Sequence, residues 1–383
     1  MWKSAAWISA IKSGILGLYV KYVGDANPLI SSASPGRDAS FMQKRNSISQ
    51  GYLLIASIAI YVICLTICHI LREDAEAIIF FIDWASVAIS MVATLCLLYA
   101  ARVSLNVGKR IFFAWMMMSL GQLCYMLGNT IWAYLETIQM QSPFPSLADI
   151  PYLMVFPLFM IGILFLQSPV VSLRERITMG LDTSIVIIAS VLVFWSLIIE
   201  PTISENSQAD PLTLALSVAY PVLDLFLLFL VVELLFRKMN IPGSRPLMFL
   251  VLGFGTWIAA DALFMHQSLK GSYVTGGILA NGWIAASLLM SLAGIAQAET
   301  VKSGIFTSNL GLEVRNFRNA WPLYLPYLCA AGAFIMLVWS HEYNMAPSFN
   351  TLSLGVGTII GLVIIRQILA IDENVRLFGE AQQ

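Results

Sequence analysis

Four polar residues sit among aromatic ones in otherwise apolar sequence. Asn129 lies between Tyr125 and Trp132, and Asp261 follows Trp257 by one helical turn. Asp149 and Asn281 each follow an alanine, and Trp283 stands just beyond Asn281. A carboxylate in hydrocarbon is costly and asks for a partner or a water-lined cavity. Aromatic walls with a few convergent polar groups are the usual make-up of a small-ligand site. Tyr125, Asn129, Trp132, Asp149, Trp257, Asp261, Asn281 and Trp283 are therefore the candidate pocket. The competing reading is that these groups bond one another and only pin helices together.

The constellation occurs twice. Met116, Leu120, Gly121, Leu147 and Ala148 recur at a constant offset as Met248, Leu252, Gly253, Leu279 and Ala280. Tyr125 maps onto Trp257, Trp132 onto Phe264, Asn129 onto Asp261 and Asp149 onto Asn281, so carboxylate and amide trade places. Gly121, Tyr125, Asn129 and Trp132 share one helix face, as do Gly253, Trp257, Asp261 and Phe264. An even number of spans separates the copies, which predicts a parallel repeat.

Further polar residues lie in apolar runs. Asp224, beside Pro221, is an intramembrane acid that could bind a proton or ligand, or cap backbone groups freed by the proline. Asp182 is expected to pair with Arg174 or Arg176, Glu233 with Arg237, and Asp83 to sit in water at the outer rim. His69, His266 and His341 all fall on the outer side, where histidines could hold a metal or sense acid, though their spacing fits no metal motif. Cys64, Cys68 and His69 are close on one helix, where apolar packing competes with metal binding. Five cysteines, all in apolar runs, imply no disulfide framework. No Gly-rich phosphate loop, His-Glu-x-x-His, Gly-x-Ser-x-Gly or Gly-Gly-Asp-Glu-Phe occurs. The expectation is a non-catalytic chain without cofactor or nucleic-acid partner.

The elements that must position these groups are membrane helices. The 383 residues are 58% hydrophobic and 11% charged, against about 25% charged in soluble domains. Runs long enough to cross a roughly 30 Å core are placed at 48–71, 78–100, 111–135, 148–167, 178–199, 211–236, 246–268, 275–297, 321–340 and 349–370. With the N terminus inside, only Arg72 and Lys270 of the 21 Lys and Arg fall in outer segments, as the positive-inside rule demands. The fold class is thus an all-α polytopic membrane protein of about ten spans, both termini cytoplasmic in a cell membrane. Residues 1–46 read as an N-terminal segment and linker. Its first part is amphipathic, suited to the membrane interface, with a signal peptide the alternative. Residues 47–370 form the membrane domain, and 371–383 begin a cytoplasmic helix. The loop 298–320 is expected on the membrane surface.

That last helix runs on from the tenth span. Ile364, Ile368, Ile371, Val375 and Phe378 fall at alternating steps of four and three, the seam of a coiled coil. It could carry motion out of the membrane through a homodimer or a membrane-protein partner. The other reading is an ordinary helix end.

Pro145-Ser146-Leu147-Ala148-Asp149-Ile150-Pro151-Tyr152 with Pro157, Leu181-Asp182, Ala219-Tyr220-Pro221-Val222-Leu223-Asp224, Ala260-Asp261 and Trp283 occur in order. So does the ending Arg366-Gln367-Ile368-Leu369-Ala370 with Glu373-Asn374 and Leu377. This set resembles the multi-span N-terminal sensor region of prokaryotic membrane diguanylate cyclases and sensor histidine kinases. The resemblance implies an input module that reads a stimulus, possible small ligand included, and sets a dimeric output. It departs from that pattern at Asn281, where an aspartate is expected. It departs again after Gln383, where the output is expected from a partner or from further chain. A small-solute or ion transporter, favoured by Asp224, and an accessory subunit of a larger membrane complex are the alternatives.

Overall fold

The computed structural model describes residues 37–141, 143–166, 173–205, 210–238, 245–269, 281–303, 324–343 and 349–381. The amphipathic stretch before Arg37 and the surface loop after Ser303 lie outside them. The chain divides into two units, Met1–Ile48 and Ser49–Gln383; the second is the membrane domain. Its described residues are almost entirely helical, as expected of backbone that must satisfy every polar group internally.

The helices are α1 (Arg37–Ile70), α2 (Ala75–Ser104), α3 (Lys109–Thr137), α4 (Asp149–Leu166), α5 (Leu173–Phe194), α6 (Glu200–Glu205), α7 (Pro211–Lys238), α8 (Arg245–Leu269), α9 (Gly282–Lys302), α10 (Leu325–Tyr343) and α11 (Phe349–Ala381). Among the described residues nine helical stretches are long and apolar enough to cross a membrane. The apolar part of α10, Leu325–Ser340, is shorter. The protein is an all-α polytopic membrane protein. Most helix ends differ by a few residues from the sequence reading, and three differ by more in ways that matter. α1 starts at Arg37, inside the stretch read as linker. α9 starts at Gly282 rather than 275, and it runs past 297 to Lys302. Hydropathy places the apolar centre of a span; it does not see where the backbone turns.

Six helices form a closed ring. α2 packs on α3, α3 on α4, α4 on α7, α7 on α8, α8 on α9, and α9 back on α2. The order is that of a parallel duplication, α2–α3–α4 followed by α7–α8–α9. The predicted repeat therefore extends one helix further than its sequence echo. Among the buried positions, Ser90, Ala93, Leu97, Ala100 and Ala101 of α2 match Asp224, Leu227, Val231, Leu234 and Leu235 of α7, whereas Thr94 of α2 and Val232 of α7 have no buried counterpart. The spacing is the same, but the register is displaced by two residues from that of the other helices, which hides the match in the sequence. The equivalent residues Tyr125 and Trp257 meet at the centre, ring centroids 4.2 Å apart. Like meeting like is what a two-fold arrangement produces.

The two halves are not packed alike. α7 touches its ring neighbours α4 and α8 far less extensively than α2 touches α9 and α3. On the tight side, a Cβ at Gly294 would lie 2.6 Å from the Cys96 carbonyl oxygen. Only glycine lets α9 come so close to α2, the small-residue packing of membrane helices. Outside the ring, Cys68 of α1 packs with Ile78 and Ile82 of α2 and Ile284 and Leu288 of α9; Cys64 is also buried, and the described cysteines are free.

α5 belongs to two cores. Its upper part, Phe194 with Ile198 and Ile199 of the π turn Trp195–Ile199, joins the ring core. Its lower part, Ile185 and Ala189, packs with Ala333 of α10 and Val356 and Ile359 of α11. α5, the turn and α6 form one unbroken rod, and such π turns are frequent at functional positions.

Candidate functional site

The site assembles at the end of the ring where α4, α7 and α9 begin and α3 and α8 finish. The Ser146-Leu147-Ala148-Asp149 run acts as a capping box. The Ser146 hydroxyl accepts from the Ala148 N–H at 3.1 Å, and Asp149 Oδ2 accepts from the Ser146 N–H at 2.8 Å. The first turn of α4 thus holds the carboxylate in place, and Asp149 Oδ1 accepts from the Tyr220 hydroxyl of α7 at 2.5 Å. Asp149 is buried, 4% exposed, and both its oxygens have donors.

The two copies repeat one interaction with different chemistry. Asn129 Oδ1 of α3 accepts from the Tyr152 hydroxyl of α4 at 2.8 Å. Asp261 Oδ1 of α8 accepts from the Trp283 indole of α9 at 2.7 Å, and Trp257 stands one turn back on the same face. Tyr152 stacks within 5.8 Å of Tyr125 and 6.3 Å of Trp132. Trp132 donates to Glu136 Oε2 at 2.6 Å. Of the eight residues proposed from sequence, seven fall in this one network.

Asn281 does not. It is fully buried, and its amide faces Cys68 of α1 at 3.8 Å, on the outer side of α9. Asp224 is 1% exposed, and its Oδ1 takes no hydrogen bond among the described residues. It does not cap backbone freed by Pro221. It lies one turn after Tyr220 and within electrostatic reach of Asp261.

Other expectations are corrected. Asp182 pairs with Arg366 of α11 at 2.7 Å rather than with Arg176; the Arg174 side chain lies outside the described residues. Arg366 also bonds Tyr327 of α10 at 2.5 Å. Asp83 is not in water: it is half-buried against Glu136. The histidines do not form a metal centre. His69 is exposed on α1 and His266 bonds the Leu197 carbonyl, while the side chain of His341 lies outside the described residues. No group of three or more His, Cys, Asp and Glu suited to a metal occurs among the described residues. The Glu233–Arg237 pair involves a side chain outside them. In the terminal seam, Ile364, Ile368, Ile371 and Val375 are exposed; Phe378 lies outside the described side chains.

Sequence reasoning missed Tyr152, Tyr220 and Glu136 as site residues. The first two stood inside the quoted motifs, next to Pro151 and Pro221. Their hydroxyls could have marked them, since a buried Tyr O–H seeks a partner.

No protein-family model, curated protein or solved structure matches the chain. The functional reading therefore rests on this geometry and on the motif set alone.

Proposed function

We propose that the protein is a non-catalytic membrane sensory module. In this reading it detects an outer-side or intramembrane stimulus at the Asp149–Tyr220–Asp261 network and passes it to a cytoplasmic output through α11. Both termini would be cytoplasmic in the cell membrane, and the exposed Ile364, Ile368, Ile371 and Val375 seam would pair two copies.

The observation that carries the reading is the double membership of α5. One end packs in the ring core beside α7, the loosely held helix that carries Tyr220 and Asp224. The other end is tied to α11 by the Asp182–Arg366 ion pair. A shift of α7 would move α5, and α5 would move a continuous helix of 33 residues, about 50 Å long. Small shifts switch discretely because packed interfaces are bistable.

The test is a chimera with a dimer-dependent reporter enzyme fused after Gln383. Asp149→Asn, Asp261→Asn and Arg366→Ala should each change reporter output at equal membrane abundance. Output identical to the parent in all three would refute signalling through this network. A transporter remains the second reading because Asp224 is a bare acid at mid-span; proteoliposome flux lost in Asp224→Asn would decide for it.

A further inference from the structure

The ring interior holds three carboxylates on three different helices, and their surroundings are unequal. Asp149 of α4 accepts from Tyr220 and from the Ser146 N–H. Asp261 of α8 accepts from Trp283. Each therefore has at least one donor aimed at it. Asp224 of α7 is furnished differently: its Oδ1 is orphaned while the residue is only 1% exposed, and Asp261 lies within electrostatic reach.

No ion pair reaches any of the three among the described residues; the buried pair in the domain is Asp182–Arg366. A lone ionised carboxylate without donors is among the costliest groups to bury. Next to a second carboxylate the cost rises further. A positive species must therefore accompany Asp224. A metal ion needs converging oxygen ligands, and the described carboxylates are not arranged as a metal cluster. A proton needs one oxygen. Titratable and charged groups on helices packed against α7 are Asp149 and Tyr152 on α4, Arg245, Asp261 and His266 on α8, Arg176 and Asp182 on α5, the latter engaged by Arg366, and Glu200 at the start of α6. On α7 itself the near neighbour is Tyr220.

We propose that Asp224 is the proton-binding group of the membrane domain, at the seam between α4, α7 and α8, and that the stimulus read there is a proton. The second half of this statement rests on the sensory reading above. The mechanism is plain. With its proton, Asp224 can sit in the seam; without it, its bare charge, with Asp261 in electrostatic reach, opposes the contact of α7 with α8, at the seams of the ring that are least tightly packed.

The experiment uses the full chain in lipid nanodiscs. Infrared difference spectra across a pH series should contain a carboxylic-acid C=O band that titrates as one proton, is lost in Asp224→Asn and is kept in Asp83→Asn. Asp261→Asn should move the transition to a different pH, because it removes the carboxylate within electrostatic reach. If Asp224→Asn fails to fold, Asp224→Glu and the tryptophan fluorescence of the parent, with Trp283→Phe as control, read the same transition. A band unaltered by Asp224→Asn, or a transition driven by sodium at fixed pH, overturns the proton site. The stimulus is tested separately in the reporter chimera. Output that follows pH in the parent and not in Asp224→Asn supports it. A titrating band with output flat in pH overturns the stimulus and leaves the proton site standing.

Discussion

Tyr220 and Arg366 each hold a buried carboxylate, and each makes a different demand on the protein. Replacing Tyr220 by Phe leaves Asp149 with one donor instead of two. Leaving a buried acceptor short costs about 1–3 kcal/mol, so Tyr220→Phe should lower the unfolding temperature in detergent, and Tyr134→Phe, on an exposed ring, should not. Asp182 and the Arg366 side chain are 4% and 11% exposed. Removing one partner strands a buried charge, at about 3–5 kcal/mol. Asp182→Ala and Arg366→Ala should each destabilise the chain, and the double variant should cost less than their sum in a thermal-shift double-mutant cycle. The polar identity of these residues was legible in the sequence, and so was their need for partners. The partner of Asp182 was not. Sequence offers the nearest cations along the chain, Arg174 and Arg176, whereas the true partner arrives from α11. Asp224 is the reverse case: its burial was readable, and its orphaned oxygen only emerges when three helices are placed around it.

At the scale of the helices, two features make checkable claims. Gly294 lets α9 approach the α2 backbone, and a methyl there would lie 2.6 Å from a carbonyl oxygen that cannot swing aside. Gly294→Ala should cost about 1–3 kcal/mol through overpacking, while Gly357→Ala, with nothing within 4 Å of the new atom, should be neutral or stabilising. Detergent melting curves compare the two. The terminal seam predicts a phase dependence. Two residues inserted after Ile371 rotate the downstream seam by about 200° and should break the reporter's response to Asp261→Asn. Seven residues keep the heptad phase and should restore it. An effect that simply grows with insert length would contradict a rigid helical link. Span centres were legible because hydropathy reports them directly. The start of α9 was not: Ile278-Leu279-Ala280 are apolar enough to extend the run toward the N terminus, whereas the helix begins at Gly282 with Asn281 as its cap.

For the whole molecule, the sequence showed half of the symmetry. In α3 and α8, and at the entries to α4 and α9, small residues kept their identity and polar ones their register while carboxylate and amide traded places, so the echo could be read. In α2 and α7 the buried face survives only as a spacing, Ser90-Ala93-Leu97 against Asp224-Leu227-Val231, because the outer surface of these helices need only be apolar. The closed ring follows from contacts between helices far apart in the chain, which no local pattern encodes. Orientation is a separate claim, carried by the charge bias. Single cysteines at Arg72 and Gln383, in a background with the five native cysteines replaced, should label with an impermeant maleimide on opposite sides of intact cells. Labelling on the same side would reverse the proposed relation between the stimulus and the tail.

The matched spacing of α2 and α7 gives the molecule a built-in comparison. Ser90 occupies, in one half, the place that Asp224 takes in the other, so each protein already contains an uncharged twin of its acidic joint. Exchanging the two residues, Ser90→Asp with Asp224→Ser, conserves composition and total charge and merely transplants the acid to the side that glycine has clamped shut. Whether the transplanted acid stirs the tail would separate the contribution of the acid from that of the slack around it.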